Sequence, residues 1–383
     1  VRRIQRAVEG VRGTVAGVRR TVAVGSALLV ILASAAGAQS TSARPDEIPV
    51  LHHTHLNTTD AEAAINWYLA LWTHVLEAED LPQPTYIVGQ NGGQSLGRGE
   101  IAGYPAFIAD LPILFNEVAT APEGGWDFDR NRAHPQSAFW HIGAFANTTD
   151  RFEALEAEGF TVARLFTGPT DEGRVYRSGQ TPYNGVLSSE QLADFEPAEP
   201  RAGGFGYLVG PEGALVEITG SPRSTPSFSH VHLFHEQPRC AANWYARVLG
   251  FTLPNTRDAA GESVPREAYE PCEGERAEPG WPSLEPAGTV RGPSANVRHA
   301  ESGISIYPRQ CFGDRCDINQ PLVPSRGQVL DHIAFSVTDF DGWLRHLAAA
   351  GVTIQQGPEP FGAGRSVIIA GPDGLSIELV EVR

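Results

Sequence analysis

The sequence predicts an α+β protein assembled from four copies of one small strand–helix–strands unit, and three observations carry that reading. Four segments open alike, each with a histidine at the head of an alternating or apolar run: His53-Thr-His-Leu-Asn, His141-Ile-Gly-Ala-Phe, His230-Val-His-Leu-Phe and His332-Ile-Ala-Phe-Ser. Two of the four copies also close alike, on Gly210-Pro-Glu-Gly-Ala-Leu-Val-Glu217 and Gly371-Pro-Asp-Gly-Leu-Ser-Ile-Glu378. The 41 glycines and 29 prolines favour many short strands and tight turns over long helices.

In chain order, residues 1–38 read as an export signal peptide. Six arginines precede the apolar run Thr21–Ala38, which ends in small residues, so cleavage is expected after Ala36-Gly37-Ala38. The competing reading is an anchor helix that stays in the membrane. Arg19-Arg20 also permits the twin-arginine route. The expected location is therefore periplasmic or secreted. In an oxidising compartment the four cysteines read as two disulfides, Cys311 with Cys316 across a short loop and Cys240 with Cys272. A structural zinc site would need tighter Cys-x-x-Cys pairs, which are absent. Asp plus Glu number 45 against 29 Lys plus Arg, a net charge of −16. That balance argues against a nucleic-acid partner and, once the signal is removed, against a membrane surface.

Each histidine run reads as a strand and is followed by a helix-like stretch. In the first and third copies Ala64-Ile-Asn-Trp-Tyr68 matches Ala241-Ala-Asn-Trp-Tyr245, and both tyrosines lie fifteen residues beyond His53 and His230. In the second and fourth copies Asp150 and Asp341 stand nine residues beyond His141 and His332, where they suit helix N-caps. Gly159 and Gly351 then lead out of those helices into strands. The Pro-Glu-Gly and Pro-Asp-Gly turns precede the last strands. Two homologous halves result, roughly 48–222 and 225–383, joined by the polar, proline-bearing Gly220-Ser-Pro-Arg-Ser-Thr-Pro-Ser-Phe.

The unit, with His230-Val-His-Leu-Phe and Asn243-Trp-Tyr at its start and Gly371-Pro-Asp-Gly and Ile377-Glu378 at its end, resembles the βαβββ module of the vicinal oxygen chelate superfamily. That superfamily includes glyoxalases, bleomycin-resistance proteins, epimerases and extradiol dioxygenases. The resemblance implies four βαβββ modules paired into two cupped-sheet domains, glyoxalase-like, one per half. It also implies a divalent metal held by strand histidines and a last-strand glutamate. Carried over, the N-terminal half offers His53, His141 and Glu217, and the C-terminal half offers His230, His332 and Glu378. A lone strand histidine is ordinarily structural, but six ligand-type residues fill six slots here. His55 and His232, two residues on, share a strand face with His53 and His230 and are alternative ligands or supporting groups. Two histidines and one carboxylate suit Fe²⁺ best and also accept Mn²⁺, Zn²⁺, Ni²⁺ or Co²⁺.

Glyoxalase-type members add a carboxylate from the last strand of the first module. Alignment places Phe115 and Tyr307 in that slot, neither of them a ligand, with Glu117 two residues beyond. Three ligands favour a dioxygenase-like site. Tyr207, ten residues before Glu217, partly matches the extradiol fingerprint and is the candidate catalytic residue, although neither half carries the upstream histidine of that fingerprint. The segment from about Leu165 to Gly204 lengthens the second module, with Arg174, Tyr176, Arg177 and Tyr183 as candidate pocket residues. Trp126 to Pro135 forms a charged-aromatic connector, read as a solvated linker. The expected function is an exported, metal-dependent enzyme acting on a small oxygenated substrate. A lyase or isomerase, or a non-catalytic binding protein of the resistance type, is the alternative. The two halves form either a monomer that mimics a dimer or a subunit of a homodimer.

Overall fold

The computed structural model describes residues 43–76, 94–96, 113–147, 151–166, 176–180, 196, 204–220, 227–272, 294–299, 302–309 and 320–382. The expected signal segment 1–38, Asp150, Arg174, Tyr183, Cys311 and Cys316 lie outside them. Module one comprises β1 (Val50–Thr58), α1 (Ala61–Leu76), β2 (Gln94–Leu96) and β3 (Ile113–Glu117). A small hairpin, β4 (Trp126–Asp127) and β5 (Arg132–Ala133), leads to module two: β6 (Phe139–Ala146), α2 (Phe152–Ala157), β7 (Thr161–Ala163), β8 (Gly204–Val209) and β9 (Leu215–Gly220). Module three holds β10 (Ser227–Phe234), α3 (Pro238–Leu249), the hairpin β11 (Thr256–Arg257) and β12 (Ser263–Val264), then β13 (Ala295–His299) and β14 (Ser302–Tyr307). Module four holds β15 (Leu330–Val337), α4 (Phe340–Ala349), β16 (Ile354–Phe361), β17 (Gly364–Ala370) and β18 (Ser376–Glu381). Among the described residues no helix is long and apolar enough to cross a membrane.

Two seven-stranded sheets result, ordered β16-β17-β18-β15-β1-β3-β2 and β13-β14-β10-β6-β9-β8-β7. The pairing differs from the expected one. Module one shares a sheet with module four through the antiparallel β1–β15 ladder, and module two shares a sheet with module three through β6–β10. The sequence halves 48–222 and 225–383 are therefore not separate domains; each contributes one module to each sheet. Connector lengths explain this. The short link 221–226 joins modules two and three within one sheet, whereas the longer connectors 118–138 and 308–329 carry the chain from one sheet to the other.

Local chemistry sets the element ends. Asp60 caps α1, its carboxylate accepting from the Ala63 amide at 2.9 Å. α3 begins with Pro238 and ends at Gly250, whose φ of 75° is the left-handed cap that glycine adopts without strain. The cap of α4 is Asp339, not Asp341 as expected; its carboxylate accepts from the Gly342 amide at 2.9 Å, and Asp341 instead pairs with Arg365 at 3.0 Å. Arg151 stands at the N-cap of α2 without a side-chain capping bond; its guanidinium instead donates to the His74 carbonyl at 2.6 Å. The expected Cys240–Cys272 disulfide is present, with a Cα separation of 4.8 Å, and ties the first turn of α3 to the loop after β12.

One sheet face carries the histidines and the opposite face builds the core. On β6, His141 and Gly143 alternate with the buried Ile142 and Ala144; on β15, His332 and Ala334 alternate with the buried Ile333 and Phe335. Ile142, Ala144, Ile333 and Phe335 join a core cluster with Ile65, Tyr68, Tyr245 and Trp343 from the helices. The Trp126–Pro135 connector is not a solvated linker: Trp126, Asn131 and Arg132 are buried, and the hairpin lies against the Pro211–Gly213 turn.

Candidate metal centres

Two clusters form, one on each sheet, and each draws on both sequence halves. In the first sheet His53 Nε2 lies 3.3 Å from Glu378 Oε2, and His332 Nε2 lies 3.2 Å from the same oxygen. In the second, Glu217 lies 3.1 Å from His141 Nε2, 3.4 Å from His230 Nε2 and 3.7 Å from His232 Nδ1. The triads expected within halves are thus exchanged: His53 joins His332 and Glu378, while His230 joins His141 and Glu217. The cause is the module pairing. His53, Ala334 and Glu378 form one row across β1, β15 and β18; His230, Gly143 and Glu217 form the same row across β10, β6 and β9.

His55 and His232 belong with these clusters. One potential ligand atom from each of His53, His55 and His332 lies within 4.8 Å of the others, and the same holds for His141, Glu217, His230 and His232. His55 and His332 face each other across the β1–β15 ladder, with ring centroids 4.3 Å apart. Both histidine strands carry a bulge at the same point, at His52 and at Ser229, immediately before the first histidine. A bulge locally re-aims a strand, and here it sets His53 and His230 beside the glutamate row.

The first cluster has donors that could hold a cation. His53 Nε2 and His55 Nδ1 are buried and make no hydrogen bond among the described residues. The other His53 nitrogen is fixed by His52, Nδ1 to Nδ1 at 2.8 Å. Burial drives His53 well below its usual value and His55 to about 3, so both rings are neutral with lone pairs available. Burial alone would raise Glu378, but the His332 hydrogen bond and the surrounding imidazoles hold it well below the ordinary carboxylate range. An ionised carboxylate among neutral imidazoles is the donor state that a divalent metal requires. His332 differs. Burial lowers it, yet hydrogen bonds to Asp331 (2.5 Å) and Glu378 raise it to about 9. Asp331, held in turn by Arg326 at 2.6 Å, fixes the His332 ring with Nε2 toward the cluster, as carboxylates behind metal-ligating histidines do. Asp331 and His52 escaped the sequence reading, although each adjoins a predicted ligand.

The second cluster has the same donors and a more open setting. Burial would raise Glu217, and His232, His141 and His230 together outweigh it and hold the carboxyl well below its ordinary value. Glu217 also accepts a hydrogen bond from Thr219. Glu217, His230 and His232 line a cavity of about 650 Å³, whereas of the first cluster's donors only His55 lines its cavity of about 470 Å³. Phe361 stacks on His53, ring centroids 5.7 Å apart, and closes that cluster further.

The structure corrects the fourth-slot alignment. By register Phe115 corresponds to Ile306, both buried on the helix side, and Asn116 corresponds to Tyr307 on the histidine side. Glu117 faces away, where its carboxylate accepts from the Ala61 amide at the start of α1. Among the described residues the further potential donor is a histidine nitrogen, from His232 beside His141, Glu217 and His230 or from His55 beside His53 and His332, and not a carboxylate on β3 or β14. Tyr207 pairs with Glu217 across the β8–β9 ladder, fully buried, with its ring 5.2 Å from His141. It packs behind the cluster and does not line the cavity; Tyr307 does, 5.3 Å from the His232 ring. Tyr176 donates to Glu156 at 3.0 Å and Arg177 is buried, and neither lines a cluster's cavity.

Residues 227–379 match the Glyoxalase/Bleomycin resistance protein/Dioxygenase superfamily model. The match spans modules three and four. The fold likeness extends over most of the chain: glyoxalase I from Zea mays and a variant of it are each 12% identical, with TM-scores of 0.50 and 0.51. Both matches cover 87% of this chain and 92% of theirs. At that identity the likeness establishes the glyoxalase I fold and not the chemistry. No curated protein matches the sequence.

Proposed function

We propose that this chain is an exported, metal-dependent vicinal oxygen chelate enzyme, dioxygenase-like, acting on a small oxygenated substrate at the His141, Glu217, His230 and His232 cluster. One observation carries the reading: four potential donors converge from three adjacent strands, and three of them line a cavity large enough for a small molecule. A divalent cation bound there, Fe²⁺ favoured over Mn²⁺, Zn²⁺, Ni²⁺ or Co²⁺, would act as a Lewis acid on two adjacent substrate oxygens. The protein groups do the rest. Glu217 supplies the negative charge, His141 and His230 fix opposite sides of the carboxylate, and Phe145 and Phe205 form an apolar wall. Tyr307, at the edge of His232, is placed to hold or move a proton on a bound substrate. Tyr207 positions His141 from behind. The more enclosed cluster of His53, His55, His332 and Glu378 is assigned to holding a cation without turnover. A lyase or isomerase would use the same donors. The absence of an acid on the histidine side of β3 and β14, among the described residues, favours the dioxygenase-like reading.

Export rests on the arginine-rich start and on Ala36-Gly37-Ala38. Amino-terminal sequencing of protein recovered outside the cytoplasm would begin at Gln39. Metal analysis of anaerobically purified protein tests the centre. We expect up to two divalent ions per chain, one lost in Glu217→Gln and the other in Glu378→Gln. Wild-type protein that takes up no metal when divalent ions are supplied overturns the proposal.

A further inference from the structure

Among the described residues the second cluster's cavity holds one guanidinium, that of Arg298, and the sheet register explains how it gets there. Arg298 on β13 pairs with Gly303 on β14, and Gly303 pairs with His230 on β10. The three positions form one row on the histidine face, continued by Gly143 and Glu217. Because Gly303 has no side chain, nothing in that row stands between Arg298 and His230. Two strand spacings separate the two backbones, about 9–10 Å, which a long arginine side chain and a small ligand can bridge together. Arg298 is exposed, lines the cavity with Asn296, Ser305 and Tyr307, and pairs with no acid among the described residues. Asn296 Oδ1 accepts from Ser305 Oγ at 2.9 Å, which leaves the Asn296 amide free to donate beside it. The corresponding cavity of the other sheet contains Arg326, but Asp331 neutralises it at 2.6 Å.

In a chain of net charge −16, an unpaired guanidinium inside a cavity is a local reversal of sign. We infer that Arg298 is the specificity-determining residue of this site and that the substrate is a small organic anion. Two adjacent oxygens reach the cation position at one end, and a carboxylate or similar oxyanion meets Arg298 at the other. The inference rests on the proposed metal reading and adds the substrate class. A planar guanidinium favours bidentate pairing with a carboxylate over a neutral polar group.

The test uses two probes that differ only in the anion, catechol and 3,4-dihydroxybenzoate. Their binding to the cobalt-loaded full chain is measured by calorimetry for wild type, Arg298→Gln and Arg298→Lys. Wild type should bind 3,4-dihydroxybenzoate at least tenfold more tightly than catechol. The ratio should fall to near one in Arg298→Gln, recover partly in Arg298→Lys and shrink as salt rises. Cobalt content and thermal melting confirm that the variants fold. A wild-type ratio near one, a ratio that persists in Arg298→Gln, or binding of neither probe overturns the inference. Cobalt uptake that ignores Glu217→Gln locates the failure in the metal reading instead; a carboxylate preference that still depends on Arg298 would then uphold the anion subsite alone.

Discussion

Gly143 and Ala334 hold equivalent places, each between a histidine on one neighbouring strand and a glutamate on the other. They are not interchangeable. A Cβ on Gly143 would lie 2.2 Å from His230 Nε2, closer than any real contact, so the imidazole would have to leave the cluster. Gly143→Ala should therefore lose one equivalent of metal by elemental analysis while the His53 centre keeps its own. His299 shows the opposite case, a histidine with no ligand role. It is buried against Phe251 and Phe335, and neither ring nitrogen has a hydrogen-bond partner among the described residues. Leaving buried polar atoms unpaired costs about 1–3 kcal/mol, so His299→Leu should raise the melting temperature. Burial holds this ring at about 4 against an ordinary 6.5. The unfolded chain therefore takes up the proton first as pH falls, and this group's contribution to stability is lost between about pH 6.5 and pH 4. Wild-type and variant melting curves compared across that window should diverge further at the acid end.

At the scale of elements, the ends of helices decide more than their interiors. The start of α4 takes three kinds of support: the Asp339 side chain on Gly342, the Glu47 carboxylate on the Thr338 and Asp339 amides, and the Trp343 indole donating to Glu47 at 2.8 Å. Asp339→Ala should cost about 1 kcal/mol in denaturant unfolding, the usual loss for an N-cap. Glu47 also ties the segment before β1 to module four. Burial pushes its carboxyl up, and the hydrogen bonds from Thr338, Asp339 and Trp343 outweigh it and hold the group below its ordinary 4.5. A depressed carboxyl stabilises fully above the unfolded value and loses that contribution as pH falls through the folded one. Glu47→Gln should therefore be less stable than wild type at pH 7, with the gap narrowing below about pH 4.5. Sequence spacing put the cap at Asp341 because it stands nine residues beyond His332, as Asp150 does beyond His141, whereas the helix's actual first turn gives the role to Asp339.

For the whole molecule, the exchange of modules between halves has a direct consequence. Each cluster needs donors from both sides of the 221–226 link: His53 with His332 and Glu378, and His230 and His232 with His141 and Glu217. Residues 43–222 or 225–383 expressed alone should bind no metal at either centre, and co-expressing the two pieces should restore both. Two metal-binding halves that work separately would contradict the sheet pairing. Residue identity and spacing by themselves determined the repeat, the α+β class, the six strand positions and the Cys240–Cys272 bridge, because periodic histidines, turns and glutamates are local properties of the chain. Which modules share a sheet, that His55 and His232 join the donors, that Glu117 turns to α1, and that Arg298 reaches the cavity were decided only in three dimensions. Those facts depend on hydrogen-bond ladders between strands far apart in sequence, on bulges at His52 and Ser229, and on strand parity. No spacing along one chain encodes which distant edge a strand will meet.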